Sequence, residues 1–343
     1  MKASFFRQSF LLDSLDLAYD KPPLVQTLAS GVTLQWHQRG VLEVRPAQDV
    51  ANGQHIIVSS GIHGNETAPM ELIDRLVGDI EAGRQTVAAR CLFMVAHPEA
   101  TNQHVRFIEQ NLNRLFDNKP HEPSKERDIA EELKWIVAQF YAGTVPQTRW
   151  HLDLHCAIRR SKHETFAISP KTRHPVRSKA LFDFVAHAQV EAVLLSNAPS
   201  STFSWFSAEQ FGAQALTLEL GQVARLGEND LDRRAAFDQA LRALIAGTTP
   251  KSAECAVNMY RVSRTIVRQH DDFNFLFDDQ VENFTAFKHG EVFGHDGDKP
   301  LMAKNEEEAI VFPNRHVAVG QRAALMVCAV DTRYDDEDQL IYD

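Results

Sequence analysis

Apolar positions along the first 250 residues fall into two alternating patterns. One is short and nearly continuous: His55–Ser60, Leu92–Ala96, Trp150–Leu154, Ala192–Ser196 and Ala215–Leu220. Such runs predict strands buried on both faces. The other is a stripe at helical spacing. Met70, Leu72, Ile73, Leu76, Val77 and Ile80 form one stripe; Ile129, Leu133, Ile136, Val137 and Phe140 form a second. A third helix is predicted from about Ser178 to Val190. A fourth is predicted to start at Asn229, a residue suited to an N-cap, and to stop before Gly247, suited to a C-cap. Strands alternating with helices predict an α/β fold, a parallel or mixed sheet flanked by helices.

The pattern changes after Gly247-Thr248-Thr249-Pro250. From Ala256 onward the apolar runs are short and strand-like, and turn signals such as Lys288-His289-Gly290 and Asp296-Gly297-Asp298 separate them. No helical stripe recurs there. A boundary is expected near 248–255, with an α/β domain over residues 1–250 and a smaller β-rich C-terminal domain over 251–343. The acidic tail YDDEDQLIYD is expected to be peripheral.

Composition narrows the partners. With 44% hydrophobic and 24% charged residues, the 343-residue chain is an ordinary globular one. Its formal charge of −10, from 36 basic and 46 acidic residues, argues against nucleic acid. It also means that an anionic substrate needs a local arginine cluster, because the overall field repels it. Cys91, Cys156, Cys255 and Cys328 are far apart and form no CxxC pair, so free thiols in a reducing compartment are expected. No apolar run reaches the roughly 18–20 residues of a membrane span, and Arg7 and Asp13 interrupt the N-terminal apolar patch where a signal peptide would have its core. A cytoplasmic protein without membrane partners follows, with homo-oligomerisation left open.

Candidate chemistry collects at strand ends. The run His55–Ser60 leads into Gly61-Ile62-His63-Gly64-Asn65-Glu66, Trp150–Leu154 leads into His155, and Ala215–Leu218 ends at Glu219. Ligands in α/β sheets bind outside the carboxyl ends of strands, so His63, Glu66, His155 and Glu219 are expected on one edge. Two imidazoles and a carboxylate make a catalytic zinc set with an open fourth position. Asp153, two residues before His155, lies on the same strand face and can orient it. Any one His/Glu spacing arises readily by chance among 15 histidines; the weight comes from the shared placement.

Arg106 and Arg114, in one stretch after the Leu92–Ala96 run, offer forked donors suited to carboxylates, and Asn113 adds a neutral amide. Arg159 and Arg160 follow His155 and are weaker candidates for substrate contact. Cys156 lacks a specified base or oxyanion site and is not expected to be a nucleophile. Phosphate-binding loops and dinucleotide fingerprints are absent.

The segments GIHGNETAP, NLNRLF, DLHCA and LTLELG, in that order over residues 50–225, resemble the zinc carboxypeptidase superfamily in its aspartoacylase/succinylglutamate desuccinylase branch. NFTAFKHGEVFGHDG resembles the β domain of that branch. The resemblance implies a zinc-carboxypeptidase-like mixed sheet and one zinc ion (Zn2+) per chain, held by His63, Glu66 and His155. It implies that Glu219 is the general base and acid, that Arg106 polarises the scissile carbonyl, and that Asn113 and Arg114 bind a substrate carboxylate. Residues 1–250 would then be a zinc-dependent hydrolase domain acting on a small anionic N-acyl amino acid. The reaction implied is hydrolysis of N-succinyl-L-glutamate to succinate and L-glutamate, the final step of arginine catabolism by the succinyltransferase route. Rival readings are another N-acyl-amino-acid deacylase of aspartoacylase type, a metallocarboxypeptidase, and a binding module that holds zinc without catalysis.

Overall fold

A computed structural model describes residues 4–48, 53–250 and 255–342. Ten strands precede the last third of the chain: β1 (Leu24–Thr27), β2 (Thr33–Gln38), β3 (Val41–Arg45), β4 (His55–Ser60), β5 (Arg90–Val95), β6 (Arg149–Ala157), β7 (Thr165–Ser169), β8 (Ala192–Leu195), β9 (Gln214–Gln222) and β10 (Asn258–Val267). Then come β11 (Asn274–Phe275), β12 (Thr285–Lys288), β13 (Val292–Asp296), β14 (Lys299–Met302), β15 (Glu307–Val311), β16 (Arg322–Ala329), β17 (Thr332–Tyr334) and β18 (Leu340–Tyr342). The helices are α1 (Phe10–Leu15), α2 (Ala68–Glu81), α3 (Pro98–Asn102), α4 (Lys125–Tyr141), α5 (Lys179–His187), α6 (Phe203–Phe211) and α7 (Ala235–Ala246).

Among the described residues, thirteen strands form one mixed sheet in the order β1-β2-β3-β5-β4-β6-β9-β7-β8-β10-β16-β15-β12. Its centre, β5-β4-β6-β9, is parallel. Alternation along those strands divides the core in two. Val58, Phe93, Leu152 and Leu216 face α2, α5 and α7. Ile57, Leu92 and Met94 face α4 and α6. Both faces are covered, which is why the central strands read as continuous apolar runs. The α/β class and the smaller β-rich C-terminal part are as expected.

Three details differ from the sequence-based expectation. The fourth helix starts at Ala235, after a short 3-10 turn over Leu231–Arg234, and Asn229 does not cap it. The Asn229 amide instead donates to Thr67 Oγ1 and Glu71 Oε1, both at 2.8 Å, and so ties its loop to α2. The third helix ends at His187, and Gln189 takes a left-handed φ of 53° that an α-helix cannot continue through. The sheet also does not stop at the change of pattern. β10 lies parallel beside β8, with Asn258 opposite Ala192, so the C-terminal part extends the same sheet. The expected boundary falls largely on 251–254, outside the described residues.

Candidate active site

Parallel pairing brings the candidate residues to one edge. Ser59 at the end of β4 stands opposite Asp153 of β6, and His155 of β6 stands opposite Glu219 of β9. His155 and Glu219 lie inside their strands, one to three residues from the ends. Leu154 and Leu218 point into the α2/α5/α7 core, so His155 and Glu219 point to the other face.

The loop after β4 owes its path to two glycines. Gly61 turns out of the strand at φ +69°. At Gly64 a Cβ would come within 2.3 Å of the Ala100 carbonyl carbon, so only glycine lets the loop press onto α3. The Gly64 N–H donates to the Arg106 carbonyl at 3.1 Å, which locks this loop to the arginine-bearing one.

Glu66 is the hub. Its Oε1 lies 2.9 Å from His63 Nδ1 and accepts from the Arg106 guanidinium at 2.6 Å. Its Oε2 lies 2.7 Å from His155 Nδ1 and accepts from the Cys156 N–H at 3.1 Å. One ligand atom from each of His63, Glu66 and His155 falls within 4.8 Å of the others, and all three side chains are buried. The outward nitrogens are also held. His63 Nε2 is 3.0 Å from Asn111 Oδ1, and His155 Nε2 is 3.0 Å from Asp153 Oδ2. Such acceptors favour N–H on Nε2 and leave the Nδ1 lone pairs facing the cluster, the tautomer a metal ligand needs. Ser59 Oγ supports Asp153 at 2.6 Å and lies 2.9 Å from His151 Nε2. Two nitrogens, one carboxylate and a ring of orienting acceptors fit one metal ion.

Charge accumulates here. Burial works against ionising Glu66, but His63 and His155 outweigh it and hold the carboxyl well below the ordinary range. Burial holds His63 down at about 4. For His155 burial also opposes the charge, but Asp153 and Glu66 prevail and hold the imidazole above its ordinary value. Glu219 is buried, and its Oε2 meets no hydrogen-bond partner among the described residues. Burial first, and the Glu66 charge second, push Glu219 up to about 7. A carboxyl that trades its proton near neutrality suits general acid–base work.

This value carries a stability prediction for metal-free protein. The folded chain keeps a proton on Glu219 that the unfolded chain releases, between an ordinary 4.5 and about 7. Stability therefore falls as pH rises through that window and stays reduced above it. Glu219→Gln removes the loss. Its gain over the metal-free parent should vanish near pH 4 and reach on the order of 3 kcal/mol at about pH 8. Urea unfolding at both pH values measures this, and a gain independent of pH would contradict it.

Arg106, Asn113 and Arg114 also reach the cluster. Asn113 is buried, with Nδ2 3.4 Å from His155 Nε2 and Oδ1 accepting from the Phe203 N–H at 2.9 Å. Arg114 is exposed and donates to the Asn113 carbonyl at 2.8 Å. Arg159 and Arg160 lie apart from the metal-ligand cluster. They line a cavity of about 390 Å³ beyond the ends of β6 and β9, shared with Arg233 and Arg234. Arg160 faces Glu282 there at 3.4 Å.

Residues 52–245 match the family model of the succinylglutamate desuccinylase/aspartoacylase catalytic domain. The chain belongs to this family. Residues 255–330 match the AstE/AspA barrel-sandwich hybrid domain that accompanies it. A succinylglutamate desuccinylase of Vibrio vulnificus is 67% identical over 343 residues, covering 100% of both chains. The crystal structure of succinylglutamate desuccinylase from Vibrio cholerae superposes with a TM-score of 0.98 at 67% identity, over 99% of this chain and 100% of that one. The enzyme of the same name from Chromobacterium violaceum superposes with a TM-score of 0.82 at 34% identity, over 94% and 97%.

Within this succinylglutamate desuccinylase/aspartoacylase fold, two supporting residues escape a reading of the sequence. Asn111 orients His63. Glu126, fully buried at the start of α4, accepts from the backbone N–H groups of Ile108, Glu109 and Gln110 at 2.7–3.2 Å and pairs with His97 at 3.1 Å. It fixes the loop that carries Arg106. Cys156 is a buried thiol whose ionisation burial and Glu66 both oppose, in keeping with no nucleophilic role.

Proposed function

We propose that the chain is a zinc-dependent amide hydrolase that cleaves N-succinyl-L-glutamate into succinate and L-glutamate, the last step of arginine breakdown by the succinyltransferase route. The observation that carries this reading is the unpartnered Glu219 carboxylate beside the His63/Glu66/His155 cluster. A purely structural metal site has no use for a buried acid poised near neutrality. The full-length desuccinylases at 67% identity support the substrate.

His63, Glu66 and His155 hold the metal, one ion per chain. Zinc bound there supplies Lewis acidity toward a carbonyl oxygen and a water. Glu219 takes a proton from the water as its oxygen bonds to the succinyl carbonyl carbon. Glu219 then gives that proton to the amide nitrogen as the C–N bond breaks, so succinate and glutamate leave with atoms balanced. Arg106, drawn into the cluster through Glu66, offers fixed positive charge to the developing oxyanion. Asn113 and Arg114 bind the glutamate α-carboxylate, Arg114 through a forked pair of hydrogen bonds. Residues 1–250 act as the hydrolase domain and 251–343 as a β-rich domain, a division that the two family matches support. The four free thiols are in keeping with a cytoplasmic setting, and no described helix is long and apolar enough to cross a membrane.

Arg114→Lys tests the substrate pose. Lysine keeps the charge and loses the fork, so KM on succinylglutamate should rise about tenfold with the fold intact. Removing the α-carboxylate, as in N-succinyl-4-aminobutyrate, should cost the parent far more than it costs the variant. Equal losses on that truncation would take Arg114 out of this role.

A further inference from the structure

The C-terminal domain reaches the edge that holds the site. The Lys162 N–H donates to the Asn283 carbonyl at 3.2 Å, and the Asn283 N–H donates to the Arg160 carbonyl at 2.9 Å, just beyond the strand that carries His155. Asn283 Oδ1 in turn accepts from the Phe312 N–H at 2.9 Å. The Phe312 ring lies 5.6 Å from that of Phe166, which is the strand partner of Glu219. Over Phe312 sits the guanidinium of Arg322, 6.0 Å from the ring centroid. Three contacts thus lead from Glu219 to an arginine of the other domain.

Arg322 and Arg114 are alike in an unusual respect. Both are solvent-accessible, and among the described residues neither pairs with a carboxylate, in a chain with a formal charge of −10. Surrounding protein nonetheless holds both guanidinium groups below their ordinary values, and for Arg114 the next causes are the charges of Arg322 and Arg106. Groups that are accessible yet closely surrounded lie in a cleft. Like charges gathered in a cleft without counter-ions make a site for an anion carrying more than one charge.

We propose that Arg322 is a substrate-binding residue: the C-terminal domain supplies it to take a second substrate carboxylate beside the one bound by Arg114. The inference rests on the desuccinylase reading, whose substrate has three carboxylates. It gives the β-rich domain a part in specificity. The carboxylate comes either from the glutamate side chain or from the far end of the succinyl group.

The test is Arg322→Gln in the metal-loaded full chain, with metal content and thermal midpoint checked against the parent. KM for N-succinyl-L-glutamate should rise at least about tenfold while kcat changes little, as expected for a lost charged hydrogen bond. Two truncated substrates locate the partner: N-succinyl-L-glutamine lacks the side-chain charge, and N-butyryl-L-glutamate lacks the acyl charge. The parent should lose on both. The variant should lose nothing further on one of them, and that one names the carboxylate. If the variant loses as much as the parent on both, the inference is overturned while the desuccinylase reading stands. If the parent does not hydrolyse succinylglutamate, both fall together. Should Arg322→Gln lose metal or stability, Arg322→Lys carries the same comparison: reduced sensitivity to one truncation supports the proposal, and full sensitivity to both refutes it.

Discussion

Glu219→Gln is expected to lower kcat on N-succinyl-L-glutamate by at least about 10²-fold, while metal content and KM stay near those of the parent. The amide fills nearly the same space, so the buried site keeps its packing. It cannot accept the water proton, and it has none to give the leaving nitrogen. The contrast with metal binding is the informative part, because Glu219 makes no hydrogen bond with His63, Glu66 or His155 among the described residues. A variant that turns over at near-parental rate would remove Glu219 from the chemistry. One that loses its metal along with its activity would make Glu219 a fourth ligand instead.

His155→Ala is expected to lose both metal and turnover. It removes one nitrogen donor and strands two buried carboxylates. Glu66 Oε2 keeps only the Cys156 N–H, and Asp153 keeps only Ser59. The loss of metal affinity should exceed the roughly 10–100-fold that follows loss of an orienting partner alone. Asp153→Asn provides that scale, because it leaves the ligand in place and weakens only the hydrogen bond to His155 Nε2. Metal analysis after dialysis against a graded chelator series ranks the two variants. A His155→Ala protein that holds stoichiometric metal would overturn the ligand set.

Much of the fold and the site is legible in the amino-acid sequence, for identifiable physical reasons. β4, β5, β6, β8 and β9 are covered on both faces, so they appear as continuous apolar runs. α2 and α4 show one apolar stripe and one polar face. By contrast, six of the nine residues of α6 are buried, so it has no stripe to read. The pairing of β10 with β8 joins residues more than 60 positions apart, and nothing local announces it. In the site, glycines flanking His63 and strand ends before His155 and Glu219 are usable signals. Glu126 offers none, because an acid in the first turn of an amphipathic helix ordinarily faces solvent and complements the helix dipole. Arg322 is equally hidden, since its relevance depends on how the second domain folds back to the edge.

The most direct measurement is a metal titration of stripped protein against two substrates. Zinc is added back in substoichiometric steps, and amino-acid release is followed from N-succinyl-L-glutamate and from N-acetyl-L-aspartate. Turnover of succinylglutamate should climb in proportion to bound zinc and level off at one ion per chain, with acetylaspartate far slower throughout. Turnover that ignores the metal, or acetylaspartate as the faster substrate, would contradict the assignment.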